Sequence, residues 1–184
     1  MSSPSSTKRI RIVQLPPETL EALADGDLDT ANETSPVPLT PVFVDTDWQR
    51  TWRYRVVQVV DDPSSAAWVT GAIWDTETDV VVGRAGFHGP PDDDGMVEVG
   101  YSVDPACRRR GYAKAALASM LERAAADPAI TVVRASVSPG NVASLGLIAQ
   151  FGFVQVGDQW DDDDGLELVF EVPANRPVGG PGST

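Results

Sequence analysis

The sequence predicts an α/β (α+β) fold, one domain with a central β-sheet flanked by helices, and three observations lead there. Twice, at 97–126 and again at 131–151, an alternating or β-branched stretch passes through a turn into a segment with helical spacing. Ahead of these, 68–74 and 79–86 read as two more strands, joined at Thr76–Thr78 as a hairpin. At 184 residues the chain can bury one good core but not comfortably two. A single domain over 9–172 is therefore expected, between a polar N-terminal tail at 1–8 and a Pro- and Gly-rich C-terminal tail at 173–184, both expected to be disordered.

Taken in order, Met1–Thr7 is Ser-rich and lacks the apolar stretch of a signal peptide. Arg9–Leu15 reads as a first strand. Pro17–Leu23 is a short helix with Leu20 and Leu23 on one side, ending near Gly26. The Pro-rich 34–41 is irregular. From Asp47 to Asp61, Trp48, Trp52, Val56 and Val59 or Val60 recur at helical spacing, a stripe that serves core packing more often than ligand binding. Phe87–Gly95 is a turn-rich loop holding the one histidine, His88. Imidazole chemistry near neutral pH makes a histidine tempting as a general base. Set among Gly and Pro, His88 reads better as a surface turn residue.

The next stretch organises the chain. Val97, Val99, Tyr101 and Val103 alternate onto one strand face, with Glu98, Gly100 and Ser102 on the other, and Asp104-Pro105 ends the strand. Leu117, Met120, Leu121 and Ala124 then mark one stripe of a helix that stops at Asp127-Pro128. Between them lies Arg108-Arg109-Arg110-Gly111-Tyr112-Ala113. Gly111 allows a sharp turn, and the first-turn N–H groups of the following helix favour an anion, to which three arginines add charge. This is a backbone phosphate cradle and not a Walker loop, since no Gly-Lys-Ser/Thr follows.

After a second strand near 130–137, Asn141 is a good helix cap, and the one-sided helix behind it closes at Gly152. Phe153–Trp160 and Leu166–Val172 make a closing hairpin with Leu166, Leu168, Phe170 and Val172 as its buried face. Its turn, Asp161–Gly165, reads as a solvated loop, or as an electrostatic guide for a cation. It lacks the alternating ligands and distal Glu of a calcium loop, and no metal site is expected.

A formal charge of −13 argues against nucleic acid and suits a cationic partner such as an amine, with the arginine loop a local exception. One cysteine, Cys107, permits no internal disulfide, so a reducing cytoplasm is expected. No stretch approaches a membrane span, and there are no internal repeats.

Three ordered motifs, Glu98-x-Gly-Tyr101, Arg108-x-x-Gly-x-Ala113 and Asn141-x-x-Ser144 ending in Gly152-Phe153, together resemble the GCN5-related N-acetyltransferase (GNAT) family. The likeness is closest to the branch that acetylates protein N-terminal amines, such as those of ribosomal proteins, and Phe87-His-Gly-Pro-Pro91 resembles a turn of that branch. It covers about 69–172 well and the N-terminal third poorly. It implies a mixed sheet whose central parallel strands splay, admitting acetyl-CoA as co-substrate. The backbone of Arg109–Ala113, with Arg108 and Lys114, would hold the pyrophosphate, and Tyr101, Ser102 and Val103 the pantetheine arm. A backbone N–H near Val103 would hold the oxyanion. Glu98 would act as general base.

Many relatives protonate the leaving thiolate with a tyrosine; the aligned position here is Ile148, and Ser144 is the substitute that the ribosomal-type branch suggests, with helix capping as its alternative role. Asn141 would orient pantetheine, cap the helix, or both. In the related enzymes the acceptor, a primary amine on a cationic peptide or small molecule, lies between the early helical region and the central strands. The implied activity is N-acetyl transfer by direct attack. A catalytically silent acyl-CoA-binding or regulatory module is the alternative, and a homodimer is left open.

Overall fold

The structure, a computed structural model, describes residues 8–175. Seven strands among these residues form one mixed sheet in the order β1-β2-β3-β4-β5-β7-β6. They are β1 (Ile10–Val13), β2 (Gly71–Asp75), β3 (Val80–Phe87), β4 (Met96–Val103), β5 (Val132–Val137), β6 (Val154–Asp161) and β7 (Gly165–Pro173). The helices are α1 (Pro17–Asp25), α2 (Leu28–Thr34), α3 (Thr46–Asp61), α4 (Tyr112–Ala126) and α5 (Val142–Gln150). The chain folds as two compact units. The first runs to Pro90 and includes Gly100–Ser119; the second takes Pro91–Val99 and continues from Met120.

In the first unit β1, β2 and β3 pair antiparallel, and the β2–β3 hairpin turns at 76–79 as its sequence implies. Asp79 adopts a left-handed φ of 59° there, and its N–H closes the turn onto the Asp75 carbonyl. α1 buries Leu20 and Leu23 and ends at Gly26, whose φ is 79°. α3 buries Trp48, Trp52 and Val59, which settles the fourth stripe position on Val59; Val60 is exposed. Phe43 stacks on Trp52 at 5.7 Å and meets Trp48 edge-on at 5.0 Å. The Trp52 indole N–H donates to the Phe43 carbonyl at 2.7 Å, so this fully buried ring keeps no unpaired donor.

Two differences from the sequence reading have local causes. α2 is not visible as an apolar pattern, because only Ala31 of its seven residues is buried. What starts it is Asp27, whose carboxylate accepts from the N–H and hydroxyl of Thr30. The strand expected from residue 68 begins only at Gly71, because a 3-10 turn at Pro63–Ala67 draws the N–H groups of Trp68 and Val69 back onto the Ser65 carbonyl.

In the second unit the start of β4 pairs parallel with β5, from Met96 opposite Val132 to Glu98 opposite Arg134. The ladder stops at Glu98. β7 lies antiparallel to β5 over Leu168–Pro173 and to β6 along the closing hairpin. The register puts Leu168, Phe170 and Val172 on the face of Val137, Ala135 and Val133. Against expectation only Val172 of the four is buried: Leu168 and Phe170 are half-buried, Leu166 is 44% exposed, and Val169 of the opposite face is buried. Before Leu168 the hairpin runs past the end of β5, and Leu166 is paired only with Trp160 of β6. The expected C-terminal tail also starts later than residue 173: Pro173 pairs with Val132, and the buried Ala174 donates to the Thr131 carbonyl. The remainder of both tails lies outside the described residues.

Candidate active site

The loop expected to cradle an anion belongs to the first unit. After β4, the Asp104 carboxylate caps a 3-10 turn at Pro105–Cys107 by accepting from the Ala106 N–H at 2.8 Å. Arg108 folds back, its Nε donating to the Val103 carbonyl at 3.3 Å. Arg109 and Gly111 then take left-handed φ values of 61° and 86°. Left-handed residues interspersed this way curl the backbone so that successive N–H groups converge on a concavity suited to an anion. The first i→i−4 bond of α4 runs from Ala115 to Gly111, so the N–H groups of Tyr112 and Ala113 precede the helical ladder and point out of its N-terminus. Arg108, Arg109, Arg110, Gly111 and Lys114 are exposed around this mouth.

Tyr112 faces the opposite way. Its hydroxyl donates to Asp75 Oδ2 at 2.6 Å, in a buried position, and the same carboxylate accepts from the N–H groups of Glu77 and Thr78. Desolvation pushes the Asp75 carboxyl up, but the hydrogen bonds from Tyr112, Glu77 and Thr78 outweigh it and hold the group below its usual range. Burial, then the bond to Asp75 and its charge, pushes the Tyr112 phenol up to about 12. Of the expected cofactor residues, Tyr112 therefore offers its backbone alone, while its side chain ties the first turn of α4 to the end of β2.

The carboxylate expected as base belongs to the second unit. Glu98 stands opposite Arg134 on β5, and Arg134 stands opposite Glu171 on β7. Arg134 donates to Glu171 Oε1 through Nε at 3.0 Å and Nη2 at 2.6 Å. On the same sheet face, Gln159 of β6 reaches across β7, donating to Ser136 Oγ at 3.2 Å and Glu167 Oε2 at 3.0 Å. Burial raises the Glu167 carboxyl; Gln159 opposes this, while the charges of Asp161, Glu98 and Asp164 add to it. Glu98, Glu167 and the aspartate turn thus share one electrostatic neighbourhood. Sequence reading missed Arg134, Gln159, Glu167 and Glu171; the polar alternation of Glu167 and Glu171 on β7 was the available signal.

At the start of α5 the Asn141 side chain accepts from the Ser144 N–H at 3.1 Å, so it caps the helix. Ser144 is partly exposed one turn in. Ile148, which the resemblance sets at the tyrosine position, is buried.

His88 follows β3 and is exposed, as a turn residue would be, but it is not loose. Its carbonyl accepts from Arg55 and Gln58 of α3, and its ring covers Gly100, where an added Cβ would come within 2.9 Å of Nε2. Among the described residues no group of three or more His, Cys, Asp or Glu is arranged to hold a metal ion, and no helix is long and apolar enough to cross a membrane.

A family profile described as an acetyltransferase (GNAT) domain matches residues 9–154. An uncharacterised N-acetyltransferase of Bacillus subtilis (strain 168), YjdG, is 30% identical over 74 residues, which span 40% of this chain and 44% of that protein. Among solved structures, the ribosomal L7/L12 α-N-protein acetyltransferase RimL, in complex with coenzyme A, superposes with a TM-score of 0.63 at 15% identity, over 94% of this chain and 97% of its own. A spermidine N-acetyltransferase, SpeG of Vibrio cholerae, superposes with a TM-score of 0.61 at 12% identity, over 92% of this chain and 95% of its own.

Proposed function

Because this chain belongs to the GNAT acetyltransferase family, we propose that it moves the acetyl group of acetyl-CoA directly onto a primary amine. The observation that carries the reading is the left-handed pair at Arg109 and Gly111 opening onto the first turn of α4. In an acidic protein, a basic loop shaped this way serves an anion such as the pyrophosphate of the thioester. Arg108, Arg109, Arg110 and Lys114 supply charge, and the backbone from Arg109 to Ala113 supplies donors. Tyr101, Ser102 and Val103, with Asn141, line the pantetheine arm, which pairs along β4 in the manner of an added strand.

The chemistry assigns one role to each remaining residue. Glu98 takes a proton from the ammonium group, directly or through water, and frees the nitrogen lone pair. The amine then attacks the thioester carbon, and a backbone N–H near Val103 holds the oxyanion. Collapse of the tetrahedral intermediate breaks the C–S bond, and the nitrogen's second proton passes through the Ser144 hydroxyl to the thiolate, so that Ser144 ends as it began. The products are an N-acetylated acceptor and free coenzyme A. The acceptor is a peptide N-terminus, as in the ribosomal-type branch, or a small-molecule amine. Cys107, with no disulfide, fits a cytoplasmic enzyme.

Release of coenzyme A thiol, measured with acetyl-CoA and a panel of N-terminal peptides, polyamines and aminoglycosides, tests this. Turnover with at least one amine is the expected result. Tight coenzyme A binding without turnover on any amine would replace the enzyme by a silent acyl-CoA-binding module.

A further inference from the structure

Arg84, on β3 in the first unit, is a cation that the described protein does not neutralise. Its guanidinium carbon lies 4.6 Å from the ring centre of Trp48 and 5.5 Å from that of Trp52. Its one hydrogen bond runs from Nη1 to the Trp48 carbonyl at 3.4 Å, and no carboxylate of the described residues pairs with it. Burial, then repulsion from Arg55 and Arg50, pushes this guanidinium down to about 10, and Asp47 opposes them least of the four.

A chain with 27 acidic and 14 basic residues has acids to spare, yet it surrounds this partly buried cation with indoles and other arginines. Cation–π contact with the indoles offsets only part of the cost of burying this charge. Desolvating an unpaired ion is unfavourable, so an anion arriving from outside would relieve a standing penalty. The indoles hold the guanidinium in place while Nε and Nη2 bond to nothing on the described protein, and that edge is the fork a carboxylate fits with two parallel hydrogen bonds.

The position relates this cation to the chemistry. Arg84, Gly86 and His88 alternate onto one face of the β3 segment, and the His88 ring covers Gly100. Gly100 and Ser102 share that face on β4, and Ser102 belongs to the stretch assigned above to the pantetheine arm. We propose that Arg84 anchors a carboxylate carried by the acceptor, so that the substrate is an amine that also bears an acid group, such as an amino acid or a peptide with an acidic residue at its start. This rests on the N-acetyltransferase reading above and narrows its acceptor.

Two measurements test it separately from that reading. Acceptors are offered in pairs, each as free acid and as amide, to the full chain and to Arg84→Gln. The wild type should favour the acid, and R84Q should lower the acid-to-amide ratio of kcat/KM by about 10- to 100-fold, the loss of hydrogen bonds to a charged group. Arg84→Lys keeps the charge without the fork, and should lose much of the preference while folding even where R84Q does not. The second measurement needs no transfer: tryptophan emission is titrated with N-acetylglycine and with N-acetylglycinamide. A saturable change with the acid alone, absent in R84K, supports the anchor even if no amine is acetylated. Turnover with equal preference for acids and amides in wild type, or equal emission changes with both probes, overturns it and leaves the acetyltransferase reading standing.

Discussion

Replacing Gly111 tests the cradle through backbone alone. Its φ of 86° lies beyond the left-handed values that L-residues tolerate best. Space is not the obstacle, since a Cβ built there would meet only Lys8 Cγ, at 3.9 Å. The cost is therefore conformational, roughly 1–2 kcal/mol for an ordinary side chain and more for a β-branched one. The variant can bear this strain as lost stability, or relax to negative φ and turn the N–H groups ahead of α4 out of convergence. For a chain of this length each kcal/mol of strain appears as about 2–4 °C in Tm. Relaxation appears instead as lost affinity, tenfold for about 1.4 kcal/mol. Gly111→Val should weaken acetyl-CoA binding at least about tenfold, Gly111→Ala less, and Gly111→Asn least, because Asn visits this region most readily. Calorimetric titration with acetyl-CoA, alongside thermal melts, reads both quantities. Wild-type affinity in a folded Gly111→Val would refute the cradle.

Three other outcomes are expected. Glu98→Gln should keep acetyl-CoA affinity while turnover falls by about 10²- to 10⁴-fold and the acidic limb of the pH–rate profile moves; normal turnover at neutral pH would shift attention to His88 or a water chain. Tyr112→Phe removes a hydrogen bond to a buried carboxylate and should cost about 1.5–3 kcal/mol near neutral pH. Because the Asp75 carboxyl is depressed in the fold, its stabilisation is present above the unfolded carboxylate range and is lost on acidification, so the gap between wild type and variant should narrow at low pH. Because the Tyr112 phenol is raised to about 12, the wild type should also lose stability as pH climbs from ~10 towards that value, a loss the variant lacks. Denaturant melts across pH check both limbs, and identical profiles would show the pair to be inert. Replacing Asp161–Asp164 with Asn should raise the acceptor KM and flatten its salt dependence, with acetyl-CoA affinity little changed, since these charges act on an arriving ammonium within a Debye length of ~8 Å at physiological ionic strength. Unchanged kinetics across a salt series would leave the aspartates as solubilising charges.

What this sequence settles by itself is what neighbours along the chain can settle. Alternation from Val97 to Val103 sets the two faces of β4, and so puts Glu98 with Gly100 and Ser102 before any fold is known. Gly111 ahead of a helical stripe marks the turn into α4, and Asn141 three places before Ser144 marks a cap that the structure contains. Arg109 carries no such mark, since arginine does not signal a left-handed residue, and its φ follows from the closure of the whole turn. α2 escapes because its start is a cap and its body has no stripe.

The rest depends on register between distant strands. Arg134 and Glu171 are 37 residues apart and meet because β7 inserts between β5 and β6. Leu166 follows the apolar alternation correctly, yet its burial depends on how far β5 extends. Arg84 is one charged residue in an apolar strand until α3 lays Trp48 and Trp52 against it. Periodicity assigns a side chain to a face, and only tertiary packing decides what covers that face and whether a charge there finds a partner.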